Sequence, residues 1–202
     1  MGVILRKKLN ESLPLRQRTD VDSIIEKLKI LFAEEFLAWY QYYIVSKFMS
    51  GHERPSIEKT FEEFADDELN DHGNKLLKRI SELGGDISNI SNPNNLMNIA
   101  KCEYIAPCKP YNTLNLLEDN IKAEECAIKH YMELADLTKD CDYTTYNMAM
   151  EILADEEDHY RELQDYYVDI TGHEFDNEYT EDVTNNDIVY VVKDIYTKEE
   201  TF

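Results

Sequence analysis

The chain has 202 residues, of which 42 are acidic and 21 are basic, so its formal net charge at pH 7 is −21. This charge disfavours general attraction to nucleic acid or to anionic membranes, and DNA binding is therefore not expected. The length suits one compact domain whose core needs no disulfide to hold it. The sequence has no apolar run of about 18 residues that could span a bilayer. The short apolar run at the N-terminus does not predict a signal peptide, so the expected location is cytoplasmic.

Hydrophobic periodicity predicts four long helices. The first begins with a capping box, in which Glu26 follows Ser23 by three residues. Pro55 suits the first turn of the second helix, and Gly84–Gly85 end it. The predicted helices run from Ser23 to about Met49, from Pro55 to Leu83, from Thr113 to the turn at Lys139–Asp142, and from about Tyr143 to Ile170 before Gly172.

The link between the second and third predicted helices is long. Residues 86–112 contain three prolines with several Asn and Ser residues, which predicts a connection rather than an element. A connection of this length can cross the whole bundle, as in ferritin-like folds. The predicted fold class is therefore all-α, a ferritin-like four-helix bundle with a long crossover. We divide the chain into a basic N-terminal arm (1–19), the bundle (20–172) and an acidic C-terminal appendage (173–202).

Each predicted helix carries a glutamate on its apolar face, and two of the helices carry a histidine as well. A carboxylate within a core-facing stripe is costly unless something neutralises it. A single such glutamate is more often a side chain that reaches back to the surface. One set per helix predicts instead a site for two divalent transition ions, iron above all, with manganese or zinc as substitutes. The candidate ligands are Glu35, Glu68, His72, Glu124, Glu156 and His159.

The spacing of the ligand pair differs between the two histidine-bearing helices. Glu156 and His159 are three residues apart, whereas Glu68 and His72 are four apart. Both spacings place the two side chains on one helical face. Asp71 is the alternative ligand at the three-residue position, and we prefer His72.

The two halves of the chain also match each other. Tyr42 follows Glu35 by seven residues, and Tyr131 follows Glu124 by seven. In each half, the helix with the tyrosine precedes a helix with a histidine. This weak repeat predicts a metal pair with pseudo-twofold symmetry. Packing in the core is the simpler explanation for the two tyrosines themselves.

Several motifs resemble those of the Dps-like ferritins called thioferritins. They are Glu124-Glu-Cys126-Ala-Ile128, Ile152-Leu-Ala-Asp-Glu156-Glu-Asp-His159, Cys102 in the long connection, Glu68-x-x-Asp71-His72, and Glu82-Leu-Gly-Gly85. The resemblance covers roughly residues 20–170. It implies a dodecameric shell in which each subunit binds two iron ions, oxidises ferrous iron with hydrogen peroxide and stores the product as mineral. Such a protein protects the cell against oxidative stress.

The resemblance also implies a disulfide between Cys102 and Cys126, with Cys141 remaining a thiol. A Cys108–Cys126 bond and four reduced cysteines are the alternatives, the latter because cytoplasmic thiols are normally reduced.

Other functions are compatible with parts of the sequence. A manganese catalase or a rubrerythrin-like peroxidase could use the same ligands, although the rubredoxin-type cysteine pairs of rubrerythrins are absent. A DNA-binding protein of the Dps type could use the basic arm, which contains Arg6, Lys7, Lys8, Arg16 and Arg18. A purely structural bundle is disfavoured by the acids on the apolar faces.

Overall fold

A computed structural model describes residues 21–107, 109 and 111–175. The predicted basic arm and nearly all of the predicted acidic appendage lie outside these residues. No strand occurs in the described part of the chain. Its helices are α1 (Val21–Ser46), α2 (Arg54–Asp66), a π-helical segment (Asp67–Gly73), α3 (Asn74–Leu83), α4 (Pro93–Ile99), α5 (Thr113–Thr138) and α6 (Tyr143–Thr171). None of these helices is long and apolar enough to cross a membrane.

The four long elements form a bundle, because α2, the π-helical segment and α3 follow one another without a break and make one helix over residues 54–83. Helix α1 is antiparallel to α5, since Lys27 pairs with Glu133 near one end and Gln41 bonds to Asn120 near the other. The second long helix is antiparallel to α6 by the same kind of contacts, between Thr60 and Glu162 and between Arg79 and Asp142. The predicted four-helix bundle is confirmed.

The apolar core of the bundle is divided into two clusters. One cluster lies toward the start of α1 and includes Ile24, Leu28, Leu31, Leu76, Ile80, Leu134 and Ile152. The other lies toward the end of α1 and includes Val45, Ile57, Phe61, Phe64, Leu117, Ile121 and Leu163. A layer of buried polar side chains separates the two clusters.

Helix boundaries follow capping residues, with one correction to the prediction. Asn112 and Asp142 cap α5 and α6 by accepting hydrogen bonds from backbone N–H groups of the first turn. Gly84 ends α3 in the left-handed conformation, with φ 75°. The capping box proposed at Ser23 is wrong, because the chain is already helical at Val21.

The prediction that residues 86–112 hold no element is also wrong, because they contain the two-turn helix α4. Asn92 caps α4 by accepting a hydrogen bond from the Asn94 N–H group, and Pro93 occupies its first turn. Leu96 anchors it against the core. Pro93 therefore starts a short helix here instead of preventing one.

The long connection runs along the length of α1. It starts where a Cβ atom on Gly85 would lie 2.8 Å from Ile25 Cγ2, near the beginning of α1. Midway, Glu34 Oε1 accepts hydrogen bonds from the backbone N–H groups of Lys101 and Cys102, at 2.7 and 3.0 Å. The Tyr111 N–H group donates to the Phe48 carbonyl beyond the end of α1. The predicted crossover of the bundle is thus confirmed.

The π-helical segment explains the unequal spacing of the two Glu/His pairs. A π-helical hydrogen bond spans five residues instead of four, so the segment accommodates one additional residue within the helix. Glu68 and His72, four residues apart, are both buried as a result. Asp71 lies outside and pairs with Lys75. The structure therefore places His72, and not Asp71, in the interior.

Deleting Asn70 tests this explanation. The residue is exposed and lies within the π-helical segment, so its deletion should convert the segment to α-helix while keeping both flanking faces in register. We expect the free energy of unfolding, measured by denaturant titration, to fall by less than about 2 kcal/mol.

Deletion of Glu63, an equally exposed residue of α2, is the matched control. It rotates the preceding turns by about 100° relative to the rest of the helix, and should cost more than about 4 kcal/mol. Equal losses in the two deletion variants would contradict the explanation.

Candidate metal centre

All six residues singled out in the sequence come together between the two apolar clusters. Each long helix contributes one glutamate, and the second and fourth long helices contribute the histidines. None of the six is more than 5% exposed: Glu35, Glu68, His72, Glu124, Glu156 and His159. The layer that divides the core is therefore built from side chains that can bind a metal.

The six side chains form two groups that overlap. Glu35 and His72 belong to one group, Glu124 and His159 belong to the other, and Glu68 and Glu156 belong to both. Within each group the potential ligand atoms lie within 4.8 Å of one another. This arrangement offers two neighbouring metal positions with two shared carboxylates.

The shared carboxylates each present one oxygen to each histidine. His72 Nδ1 lies 3.2 Å from Glu68 Oε2 and 3.1 Å from Glu156 Oε1. His159 Nδ1 lies 3.4 Å from Glu68 Oε1 and 3.5 Å from Glu156 Oε2. Four of these buried atoms have no hydrogen-bond partner among the described residues: Glu68 Oε1, both oxygens of Glu156, and His159 Nδ1. Unsatisfied polar atoms that converge on one point mark a place where an ion or a water molecule can bind.

Two buried tyrosines bind the outer glutamates, Glu35 and Glu124, which each belong to only one of the two groups. The Tyr42 hydroxyl on α1 donates a hydrogen bond to Glu124 on α5, and the Tyr131 hydroxyl on α5 donates one to Glu35 on α1. Each tyrosine therefore supports the glutamate of the opposite helix. The seven-residue repeat seen in the sequence is realised as a reciprocal pair of contacts, which fits the predicted pseudo-twofold symmetry.

Two aspartates complete the histidine environments, and the sequence analysis missed both. His72 Nε2 lies 3.4 Å from Asp155 Oδ2, and His159 Nε2 lies 3.5 Å from Asp67 Oδ2. A carboxylate at the far nitrogen fixes the ring orientation of a metal-binding imidazole. The signal was present in the sequence, because each aspartate directly precedes one of the shared glutamates.

The pKa values of the six groups diverge because they share one buried site. Burial, followed by repulsion from Glu68 and Glu156, raises the pKa of Glu35 and Glu124 well above the ordinary value of 4.5. Burial also opposes ionisation of Glu68 and Glu156, but interactions with neighbouring side chains, both histidines among them, outweigh it and lower their pKa.

The two histidines are shifted toward their charged form. Burial opposes the charge of His159, but its interactions with Glu156 and Glu68 raise its pKa to about 11. Interactions with Glu156, Glu35 and Glu68 raise the pKa of His72 by more. The favoured state without metal is two carboxylates, two imidazolium groups and two neutral carboxyl groups. The buried site is then neutral.

A disulfide joins the crossover to α5 beside this site. Cys102 and Cys126 are bonded, with their Cα atoms 5.8 Å apart. Cys141 is a thiol that donates a hydrogen bond to the Leu137 carbonyl, and Cys108 lies outside the described residues. The sequence analysis did not identify Glu34 and His130, which pair at 2.9 Å next to the disulfide.

A cavity of about 40 Å³ connects the disulfide region with the buried site. One side of the cavity is lined by Cys102, by half-buried Tyr104 and by exposed Glu103. The other side is lined by Glu35 and Glu124. Such a volume holds more than one water-sized molecule. The cavity therefore extends from the crossover to the candidate metal ligands.

Comparisons with known proteins agree with the fold. Residues 25–172 match the ferritin-like domain family. A DNA protection during starvation protein from Pyrococcus furiosus is 31% identical over 151 residues, which cover 74% of this chain and 80% of that protein.

Solved structures give a similar result. A dodecameric thioferritin, the bacterioferritin-related protein from Bacteroides fragilis, is 35% identical with a TM-score of 0.75, covering 84% of this chain and 95% of its own. An archaeal Dps homologue from Halobacterium salinarum has a TM-score of 0.67 at 19% identity, covering 73% and 80% of the two chains, and shares the fold.

The raised pKa of Glu124 predicts a pH-dependent stability. Because the folded protein holds a proton that the unfolded chain releases above pH 4.5, the stability contributed by this group falls as the pH rises toward the raised pKa. The loss is up to about 1.4 kcal/mol per pH unit. In the metal-free protein, Glu124→Gln should flatten the dependence of unfolding free energy on pH between about 5.5 and 8.

Glu157→Gln is the control, because Glu157 is exposed on the same helix as Glu156. That variant should keep the slope of the unsubstituted protein. If Glu124→Gln kept it as well, the proposed protonation of the buried carboxyl would be wrong.

Proposed function

This chain belongs to the ferritin-like family, and we propose that it oxidises ferrous iron at the buried site between its four long helices and stores the ferric product. Ferroxidase activity is typical of the family. The observation that carries the proposal is the pair of overlapping ligand groups, in which Glu68 and Glu156 face both histidines.

Each residue then has a defined role toward the two ferrous ions, which are the substrate. Glu35 and His72 bind one ion, Glu124 and His159 bind the other, and Glu68 and Glu156 bridge the two. Carboxylate oxygens and imidazole nitrogens suit iron, and the same donors can accept manganese or zinc. The four unsatisfied atoms of Glu68, Glu156 and His159 support this assignment, because iron supplies the missing partner.

Charge balance also supports a site for two divalent ions. Without metal, two imidazolium groups neutralise two carboxylates. Two divalent ions among four carboxylates and two neutral imidazoles give the same net charge of zero. Four protons leave when the ions enter, so no net charge has to be transferred into the core.

The reaction we propose uses hydrogen peroxide. Two ferrous ions give one electron each, and the peroxide takes both electrons and two protons to form two water molecules. Neighbouring ions allow this two-electron reduction in one site, which avoids release of hydroxyl radical. The protein's part is positional: Tyr42 and Tyr131 hold the outer carboxylates, while Asp67 and Asp155 orient the imidazoles. The cavity beside Glu35 and Glu124 admits a molecule of peroxide size.

Storage requires an enclosed space that one bundle does not have, so we propose a closed homo-oligomeric shell. The thioferritin from Bacteroides fragilis is a dodecamer, and its similarity over most of this chain supports twelve subunits here. In such a shell the oxidised iron collects as mineral in the interior, which protects the cell against oxidative stress.

Direct DNA protection is a second candidate, favoured by the name of the Pyrococcus furiosus relative. The net charge of −21 disfavours contact with a phosphate backbone. The basic arm that could make such contact lies outside the described residues.

The oxidase proposal predicts the behaviour of Glu124→Ala. Removing this ligand should slow rapid ferrous oxidation by at least about 100-fold, since even the outer partners of metal ligands contribute ~10–100-fold. Stopped-flow absorbance of ferric product, with peroxide and with oxygen, measures the rate, and circular dichroism checks that the bundle remains folded. Glu157→Ala is the matched control and should oxidise iron normally. Undiminished oxidation in Glu124→Ala would refute the assignment.

The storage proposal predicts the assembly size. Light scattering under iron-loading conditions should give the mass of twelve subunits, as in the thioferritin dodecamer. A monomer or dimer that still oxidises ferrous iron would rule out storage and leave the oxidase proposal intact.

A further inference from the structure

A second cluster of metal-binding side chains lies outside the iron site, where the crossover meets α5. The sulfur atoms of Cys102 and Cys126 and a ring nitrogen of His130 all lie within 4.8 Å of one another. His130 Nδ1 is 3.4 Å from Cys102 Sγ and 2.9 Å from Glu34 Oε2. Two sulfurs and one imidazole nitrogen therefore converge on a small volume, and a Glu34 carboxylate oxygen lies beside the imidazole nitrogen. The proposed oxidation of iron does not use these groups.

We propose that reduction of the Cys102–Cys126 disulfide creates a tetrahedral site for one zinc ion. Its four ligands are the two thiolates, His130 Nδ1 and Glu34 Oε2. This donor set belongs to the ordinary range of protein zinc ligands, which are cysteine, histidine and carboxylate side chains.

The backbone places these side chains correctly for such a site. Cys126 and His130 are four residues apart on α5, so they share one helical face. Zinc–sulfur bonds of about 2.3 Å at a tetrahedral centre require sulfur atoms about 3.8 Å apart. The Cα separation of 5.8 Å between the two cysteines allows that spacing by side-chain rotation.

Reduction does not release the crossover from α1. Glu34 Oε1 accepts hydrogen bonds from the Lys101 and Cys102 N–H groups, and neither bond involves the disulfide. The other oxygen of the same carboxylate faces His130. Glu34 can therefore keep Cys102 in place with one oxygen while it binds an ion with the other.

The two sites differ in the metal that they prefer. Thiolates are soft ligands that select zinc over ferrous iron or manganese, whereas the inner site offers only oxygen and imidazole nitrogen. The proposed zinc site shares no ligand with the iron site, although Glu34 is adjacent to Glu35 in the sequence. Its existence therefore does not depend on the oxidase activity.

Reduction of the disulfide forms the zinc site, and oxidation removes it. A dithiol reductant transfers two electrons and two protons to the disulfide by thiol–disulfide exchange, giving two protein thiols and the disulfide of the reductant. Zinc then displaces the two thiol protons. Hydrogen peroxide reverses the step: the two zinc-bound thiolates give two electrons and form the disulfide, peroxide takes these electrons and two protons from solvent to form two water molecules, and Zn²⁺ is released.

Cobalt(II) provides the test, because a thiolate ligand gives it an intense charge-transfer absorption that oxygen and imidazole ligands do not. The full-length protein is reduced with a phosphine, freed of reductant, and titrated with Co²⁺ anaerobically, beside an oxidised sample. We expect the thiolate band in the reduced protein alone, with the intensity of one thiolate-bound ion per subunit. Zinc should abolish it by displacement, and one equivalent of peroxide should abolish it by oxidation.

Variants assign the ligands. The band should disappear in Cys102→Ser and in Cys126→Ser, and Cys141→Ser should keep it as the matched control. His130→Ala should weaken zinc binding by at least about 10-fold, the lower end of what even outer partners of zinc ligands contribute. The comparison of reduced with oxidised wild-type protein stays decisive if a variant fails to fold. A reduced protein without the thiolate band would overturn the proposal, as would a band that survives Cys126→Ser or depends on Cys108 instead of His130.

Discussion

The structure depends on the burial of four carboxyl groups and two imidazoles in the middle of one small bundle at zero net charge. An isolated buried charge is very unfavourable, so each group is tolerable only because of the others. The pKa shifts record this dependence: the outer glutamates Glu35 and Glu124 shift toward the neutral form, while the shared glutamates and the histidines form a charge-balanced centre. The six polar groups separate the two apolar clusters of the core. At this level of the bundle, metal ions can replace protons without a change in net charge.

The approximate twofold repeat of the chain places the side chains of the buried site with few kinds of residue. Each half of the chain supplies one helix with a glutamate and a tyrosine, then one helix with an Asp-Glu pair and a histidine. The tyrosine of one half holds the glutamate of the other, and the aspartate of one half orients the histidine of the other. Because these contacts are reciprocal, neither half can build its part of the site alone. The contacts that build the site therefore also help to join the two hairpins.

The sequence predicted the parts of this arrangement that follow from periodicity. The long helices and the buried glutamates were found because an acid on an apolar stripe is anomalous in any local window. Choosing between Asp71 and His72 required the π-helical segment, which the sequence does not reveal because packing of both flanking faces decides it. Asp67, Asp155 and Glu34 were missed since each lies next to a candidate ligand and looks like ordinary surface charge. Helix α4 was missed because Pro93 was taken as a helix breaker. The disulfide followed from family resemblance alone, as pairing depends on the path of the crossover.

Adjacent glutamates on α1 connect the two functions that we propose. Successive residues of an α-helix point about 100° apart, so Glu35 enters the bundle while Glu34 faces the crossover, the disulfide and His130. Both residues line the same cavity. Molecules that reach the iron site through this cavity therefore pass Cys102 first. Peroxide is the oxidant in both proposed reactions. Ferrous iron consumes it at the buried site, and the reduced cysteines consume it at the wall of the cavity. A subunit that binds zinc at the wall would thus be one that has met little peroxide, and the state of the disulfide would follow the oxidant supply on which the iron site depends.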